Sequence, residues 1–390
     1  MFQSKLPNVS PSIFTIMSRL ANQHNAINLS QGFPNFETSP RLHTLVHEAM
    51  RNGHNQYAPM QGHLPLRERL VEKIASLYGV DVHPDNEITI TAGGTQALFT
   101  AIMTLVHPGD EVIVIEPAYD SYIPTIELCG GIPVVYELSA PDYALDWTKL
   151  ATLVSAKTKL LILNTPHNPT GKVWSKEDMQ ALDALTKNTD IVLLSDEVYE
   201  HLIYDGLQHE SVLRYPTLRE RSLVVYSFGK TFHATGWKMG YCIAPPQWTT
   251  EFRKIHQFNV FSVNTPIQHA LATFLETPEE YLGLNNFYQK KRDFLLKSLE
   301  KTTFVPLKCQ GTYFQLYDYS AISDEKDLDF ANRLTTQYGV AVIPLSPFYS
   351  SRKDEKIIRL CFAKTEETIE KASELLQKSN NLALLGKELD

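Results

Sequence analysis

Cysteine is scarce in this 390-residue chain. The four present, at 129, 242, 309 and 361, are scattered and form no CxxC pair. That excludes a disulfide framework and a structural zinc site, and it points to a reducing compartment. Long hydrophobic runs are missing too. No apolar stretch approaches the ~20 residues that span a bilayer, and the opening Met1-Phe-Gln-Ser-Lys5 lacks the apolar core of a signal peptide. Positive charge is not in excess. Lys and Arg number 36 against 44 Asp and Glu, a net charge of −8, which argues against a general nucleic-acid role. The expectation is therefore a cytoplasmic protein with no metal, no membrane partner and no nucleic acid. What is present, 43% hydrophobic and 21% charged residues, is ordinary for a globular chain.

Internal repeats and low-complexity linkers are also absent. From about residue 65, helical patterns alternate with short apolar runs at Glu87–Thr91, Glu111–Ile115, Val134–Leu138, Lys159–Leu163, Ile191–Leu194 and Leu223–Tyr226. Unbroken apolar strands alternating with helices, such as Glu177–Thr186, predict a mostly parallel sheet covered on both faces. After about residue 280 the pattern changes to a long charged helix, Tyr281 to Lys301, then shorter strands and a final helix around Thr365–Lys378. The expected organisation is an N-terminal arm over 1–40, packed on the small domain or on a partner. A large α/β domain over 41–282 and a small α+β domain over 283–390 complete it.

The richest segment is Ser227-Phe-Gly-Lys230-Thr-Phe-His-Ala-Thr-Gly-Trp-Lys238. It follows a buried apolar strand, where an α/β sheet usually places its ligand. Gly229-Lys230-Thr231 has the ending of a Walker A loop, but that loop needs glycine at position 224, which is Val. A lysine with a serine three residues before it and a second lysine eight residues on instead suits an imine-forming amine beside a phosphate site. Thr91-Ala-Gly93-Gly94-Thr95-Gln96 also ends a strand, and it opens a helix whose apolar residues 97, 98, 101, 102, 105 and 106 share one face. Free N–H groups of such a first turn attract phosphate. The spacing is not G-x-G-x-x-G, which argues against a dinucleotide.

Three further segments carry polar residues at strand ends or within an apolar strand. Asn164-Thr-Pro-His-Asn168-Pro169-Thr-Gly171 is a rigid turn in which an asparagine can direct a hydrogen bond. Ser195-Asp196-Glu197-Val-Tyr199 places a carboxylate at the end of a buried strand, a costly position unless it is paired or serves as a helix cap. Arg359 stands alone in the apolar run Ile357–Ala363 and suits bidentate capture of a carboxylate, or a structural ion pair. His43 and His47 have i, i+4 spacing without the glutamate of a zinc protease, and read as a solvated helix face. Asp205, His201 and His209 form no ligand pattern.

Taken together, in this order and with this spacing, these motifs resemble the fold-type I, class I pyridoxal-phosphate-dependent aminotransferases over essentially the whole chain. Within that family the chain is similar to methionine-type and kynurenine/glutamine-type members through Asn28-Leu-Ser-Gln-Gly32-Phe-Pro-Asn-Phe, Asn55-Gln-Tyr57-Ala-Pro-Met and Phe261-Ser-Val-Asn-Thr-Pro-Ile-Gln. The resemblance implies a large domain with a mostly parallel seven-stranded sheet between helices, plus a smaller α+β domain.

It also implies roles for individual residues. Lys230 binds the cofactor aldehyde, Asp196 pairs with the ring nitrogen, and Tyr199 and Asn168 reach the ring hydroxyl. Tyr119 stacks on the ring, and Gly94, Thr95, Gln96, Ser227 and Lys238 surround the phosphate, joined by Tyr57 from the other subunit of a homodimer. Many class I members carry arginine at the Lys238 position; lysine keeps the charge and loses the fork. Arg359, Asn168 and the backbone of Gly32 hold the substrate carboxylate, while Phe14 and, across the dimer, Phe261 and Ser262 shape the side-chain pocket.

The implied activity is transfer of an α-amino group from methionine, an aromatic amino acid, glutamine or kynurenine to a 2-oxo acid, by ping-pong kinetics with Lys230 as the proton carrier. The alternative with the same fold and lysine is a β-lyase acting on cysteine S-conjugates. A non-catalytic effector module is disfavoured because no basic DNA-binding segment flanks the domain.

Overall fold

The structure is a computed structural model that describes residues 3–387, with side chains over 3–380. Its centre is a seven-stranded sheet. The strands run in the spatial order Ile88–Thr91, Gly240–Ile243, Ser222–Ser227, Val192–Asp196, Thr158–Asn164, Glu111–Glu116 and Ile132–Glu137. Six strands are parallel, and Gly240–Ile243 is antiparallel to both of its neighbours. Sequence patterning did not identify that strand, because Gly240-Tyr-Cys-Ile is too short to show a period.

Side chains alternate between the two faces, as the strand repeat requires. Val112, Val114, Leu160 and Ile162 pack under the Gly94–Leu105 helix against Ala97, Leu98 and Ile102. Ile113, Ile115, Leu161 and Leu163 join the core on the other face. Both faces are therefore dry, and this is why the strands read as unbroken apolar runs.

A second, antiparallel sheet has the order Ile343–Pro344, Ile357–Cys361, Phe314–Asp318 and Val305–Pro306. Its apolar runs are short, and Arg359 lies in its longest ladder, opposite Leu316 and Ile343. The N-terminal helix Ile13–Gln23 starts at Ser12, whose side chain accepts from Thr15 N. The chain then pairs Ile27–Asn28 in parallel with Val340–Ala341, and Cys361 N donates to Leu29 O at 2.9 Å. This pairing delivers Ser30, Gln31 and Gly32 to the neighbourhood of Arg359.

Two expected helices differ in extent. The span expected as one helix from 281 to 301 is divided at Gly283 into Glu279–Leu282 and Leu284–Ser298, since glycine favours the break over helix interior. The final helix runs Glu366–Lys387, well past residue 378. His43 and His47 are exposed on the Pro40–Arg51 helix. No helix among the described residues is long and apolar enough to cross a membrane.

Candidate active site

A cavity of ≈ 270 Å³ opens where the parallel strands end. Its place follows from the register. Asn164 pairs with Asp196 at the ends of adjacent strands, while Gly240 lies between Thr91 and Ser227. Three adjacent strands hand their last polar residues, Asn164, Asp196 and Ser227, to the same hollow, the usual ligand position of such sheets.

On one side the Gly94–Leu105 helix points its first turn at the cavity. Gly93 precedes it at φ +86°, a conformation that glycine adopts without strain. Lys238 lies alongside, with Cε and Nζ 3.3 and 3.5 Å from where a Cβ on Gly93 would sit. Lys238 itself holds φ +54°, a left-handed conformation uncommon for a non-glycine residue. Ser227 and Thr95 complete this wall, and the Thr95 and Tyr119 hydroxyls are 3.1 Å apart. First-turn N–H groups without helical partners, hydroxyls and an ammonium together form an anion cradle.

At the floor, Asp196 is 4% exposed. Its Oδ2 accepts from Tyr122 OH at 2.6 Å, and its Oδ1 receives a long bond, 3.4 Å, from Val198 N. Burial pushes its carboxyl up to about 6, against the opposing pull of the Tyr122 hydroxyl and Lys230. Asn164 ties the neighbouring segments together: Nδ2 donates to Asp196 O and Oδ1 accepts from Asn168 N, each at 2.8 Å. Asn168 is held by a turn that needs Gly171 at φ +72°, where any Cβ would lie 3.1 Å from Cys309 Sγ and Gly311 O.

Lys230 follows the Ser222–Ser227 strand on the single-turn helix Phe228–Thr231. Its Nζ donates to Tyr313 OH at 3.0 Å and to Gly32 O at 3.3 Å, and Tyr313 OH also donates to Gly32 O at 2.5 Å. Desolvation lowers the amine to about 8, with the Lys238 and Arg359 charges pulling the same way. Tyr199 is buried, and desolvation raises its phenol.

Arg359 is 1% exposed and makes no salt bridge among the described residues, although the Asp120 charge acts on it. Its Nη1 donates to Asn168 Oδ1 at 2.7 Å and its Nη2 to Ser30 O at 3.2 Å, while Nε is buried without a partner. Aromatic faces surround it: Phe314 at 3.7 Å and Phe14 and Phe348 at 5.2 Å from its guanidinium carbon. Burial brings it down to about 10. Because the carbonyl of Asn168 is occupied by Arg359, its amide N–H groups are left to face the cavity.

The cavity wall thus gathers Phe14, Gly32, Gly94, Thr95, Tyr119, Asn168, Asp196, Tyr199, Ser227, Lys230, Lys238 and Arg359. Gln96 is not part of it. Its side chain accepts from Ala92 N and donates to Thr100 Oγ1, so only its backbone N–H belongs to the cradle. Tyr57, Phe261 and Ser262 also lie outside the wall. Tyr57 and Phe261 are 80% and 56% exposed and pack edge to face at 5.1 Å, and Ser262 Oγ donates to Ala58 O.

Sequence reasoning missed the roles of Tyr122, Asn164, Tyr313 and Phe314. The i, i+3 spacing of Tyr119 and Tyr122 past a strand end is a usable signal for the first. Nothing local marks Tyr313 and Phe314, which arrive from the second sheet.

The family model for aminotransferase class I and II matches residues 24–376. The chain belongs to this family. It is 50% identical over 377 residues to the methionine aminotransferase of Escherichia coli, covering 96% of this chain and 98% of that protein. A crystal structure from Escherichia coli, described as identifying a methionine aminotransferase function, superposes with a TM-score of 0.95 at 50% identity, covering 97% and 99% of the two chains. The kynurenine–oxoglutarate transaminase of Dictyostelium discoideum is 38% identical, covering 94% of each.

The protein is accordingly an aminotransferase of fold type I, and its cofactor is pyridoxal phosphate. The site's own chemistry fits that group. Three cations, Lys230, Lys238 and Arg359, face one carboxylate, Asp196, so the cavity has room for anionic phosphate and carboxylate. The buried Asp196 lacks the cation that a protonated ring nitrogen would provide.

Proposed function

We propose that this aminotransferase moves the α-amino group of methionine, and of aromatic amino acids, glutamine or kynurenine, to a 2-oxo acid acceptor by ping-pong kinetics. The observation that carries this reading is Arg359, a buried cation with an unpartnered Nε and aromatic walls. It suits one carboxylate followed by an apolar or aromatic side chain. Among the described residues no further cation lines the cavity for a distal carboxylate, since Lys230 and Lys238 belong to the base and the anion cradle. The 50% identity to a methionine aminotransferase supports the same donor.

When bound, pyridoxal phosphate supplies an electron sink for the electrons of the substrate's Cα–H bond. In this reading the N–H groups of Gly94, Thr95 and Gln96, together with Ser227 and Lys238, hold its phosphate. Asp196 keeps its ring nitrogen protonated, Tyr119 covers the ring, and Tyr199 and Asn168 donate to the ring hydroxyl. Arg359 and Gly32 orient the substrate carboxylate so that Cα lies beside Lys230. With an amine near 8, Lys230 Nζ can take the substrate's Cα proton at neutral pH and would pass it to the cofactor carbon that carried the aldehyde, the reverse transfer serving the second half-reaction. Tyr57, Phe261 and Ser262 act from a second copy of the chain. The exposure of Tyr57, Phe258 and Phe261, at 80%, 88% and 56%, supports a partner covering that face.

The test is the absorption spectrum of the holoenzyme on adding L-methionine without acceptor. The expected result is loss of the bound-cofactor band, restored by a 2-oxo acid. A band indifferent to methionine and to the other named donors overturns the reading. Release of pyruvate and ammonia from a cysteine S-conjugate without acceptor identifies β-elimination instead.

A further inference from the structure

Asp196 is held by a residue outside every motif of the sequence. Tyr122 opens the Tyr122–Leu128 helix and is 3% exposed. Its hydroxyl donates to Asp196 Oδ2 at 2.6 Å, and its ring packs edge-on to Tyr119 with centroids 5.7 Å apart. The other carboxylate oxygen, Oδ1, has only the long contact to Val198 N.

We propose that Tyr122 is a positioning residue of the cofactor site: it pins Oδ2, keeps Asp196 ionised with Oδ1 turned to the ring nitrogen, and braces Tyr119 beside the ring. The proposal rests on the pairing of Asp196 with that nitrogen. A phenol that donates to a carboxylate favours its charged form and opposes the cost of burial. Burial and the adjacent Asp196 charge hold the phenol's own pKa well above its ordinary value, so the donor keeps its proton. A charge-assisted bond of this kind also fixes orientation, which one long contact to a backbone N–H does not.

Tyr122→Phe retains the ring and removes only the hydroxyl. The cofactor dissociation constant is measured by equilibrium dialysis of pyridoxal phosphate against apoprotein, from pH 5 to 8.5, for wild type, Tyr122→Phe and Asp196→Asn. The expected result for Tyr122→Phe is weakening by about tenfold at pH 7.5. The midpoint of its acid-side loss of affinity should rise by about one pH unit. Asp196→Asn should weaken binding and remove the Asp196 step from that loss, leaving only the pH dependence that Lys230 contributes.

Unchanged binding in Tyr122→Phe beside a weakened Asp196→Asn overturns the proposal, as does uniform weakening with an unmoved midpoint, which would mark a space-filling role. If Asp196→Asn also behaves as wild type, the pairing itself is wrong. Should Tyr122→Phe fail to fold, 3-fluorotyrosine at position 122 decides. As the stronger donor it should move the midpoint down, and a midpoint unmoved or raised overturns the proposal.

Discussion

Replacing Gly240 with alanine puts one methyl group where the anion cradle is assembled. Its Cβ would lie 2.7 Å from Tyr226 O, 2.9 Å from Gly93 C and 3.0 Å from Gly94 N. All three are backbone atoms, so no side chain can rotate away. Gly240 is paired with Thr91 on one side and Ser227 on the other, and sliding the strand would break both ladders. The available relief is to push Gly93 and Gly94 outward, which moves the first-turn N–H groups away from the proposed phosphate position.

Overpacking of this kind costs ~1–3 kcal/mol. If most of it falls on the bound state, pyridoxal phosphate affinity drops by about ten- to a hundredfold. Gly236→Ala is the control: four residues earlier, its Cβ meets nothing within 4 Å. Equilibrium dialysis and thermal unfolding with and without cofactor compare the two variants. Equal cofactor affinity in Gly240→Ala and Gly236→Ala would refute the claim that this close backbone approach shapes the cradle.

Arg359→Lys keeps a positive charge but loses the fork, so kcat/KM for L-methionine should fall about a hundredfold while cofactor affinity stays within a few-fold; steady-state kinetics beside dialysis checks both. The rate of the donor half-reaction should depend on pH through Lys230. Its amine is lowered to about 8 and must be neutral to act as base, so the rate should fall about tenfold per unit below that value and level off above it, as followed by stopped-flow absorbance.

Much of this architecture was legible in the sequence because it is local. Period-2 burial on both faces makes the parallel strands continuous apolar runs, and six of the seven could be placed from that signal. Gly93, Asn168, Asp196 and Lys230 each follow such a run within a few residues, so strand ends and polar residues together located the cavity. What the sequence hid is non-local. Tyr313 and Phe314 meet Lys230 and Arg359 only because the second sheet folds back over the first, a pairing separated by 83 residues in the Lys230–Tyr313 bond. Gln96 shows a different limit of the sequence. A first-turn position fixes where the backbone N–H points, but the competing partners Ala92 and Thr100 decide where the amide side chain goes.

Ser195-Asp196-Glu197 also contains two adjacent carboxylates, which the local pattern does not separate; the family resemblance is what singles out Asp196. The structure separates them by their hydrogen-bonding partners. Glu197 faces away from the cavity and accepts from Ser195 Oγ, Val212 N and Tyr226 OH, with His209 Nε2 at 2.7 Å. Asp196 faces the cavity and is raised to about 6 by desolvation, from 3.8.

A folded pKa above the unfolded one means that the apoprotein holds this proton more tightly than the unfolded chain. That stabilisation is complete below the unfolded value and is lost as pH rises through about 6. A displacement of about two units corresponds to ~3 kcal/mol lost by pH 7.5 and about half of that by pH 5. Asp196→Asn removes the charge, so its apoprotein should be more stable than wild-type apoprotein by about that amount at pH 7.5, with the gap halving at pH 5. Saturating pyridoxal phosphate should narrow or reverse the order, because only wild type gains a counter-charge at the ring nitrogen. Urea denaturation at the two pH values, with and without cofactor, measures each gap. An apoprotein gap that is absent or independent of pH would mean that Asp196 is already satisfied within the protein, as Glu197 is, and that the unmet charge is not what prepares this site for its cofactor.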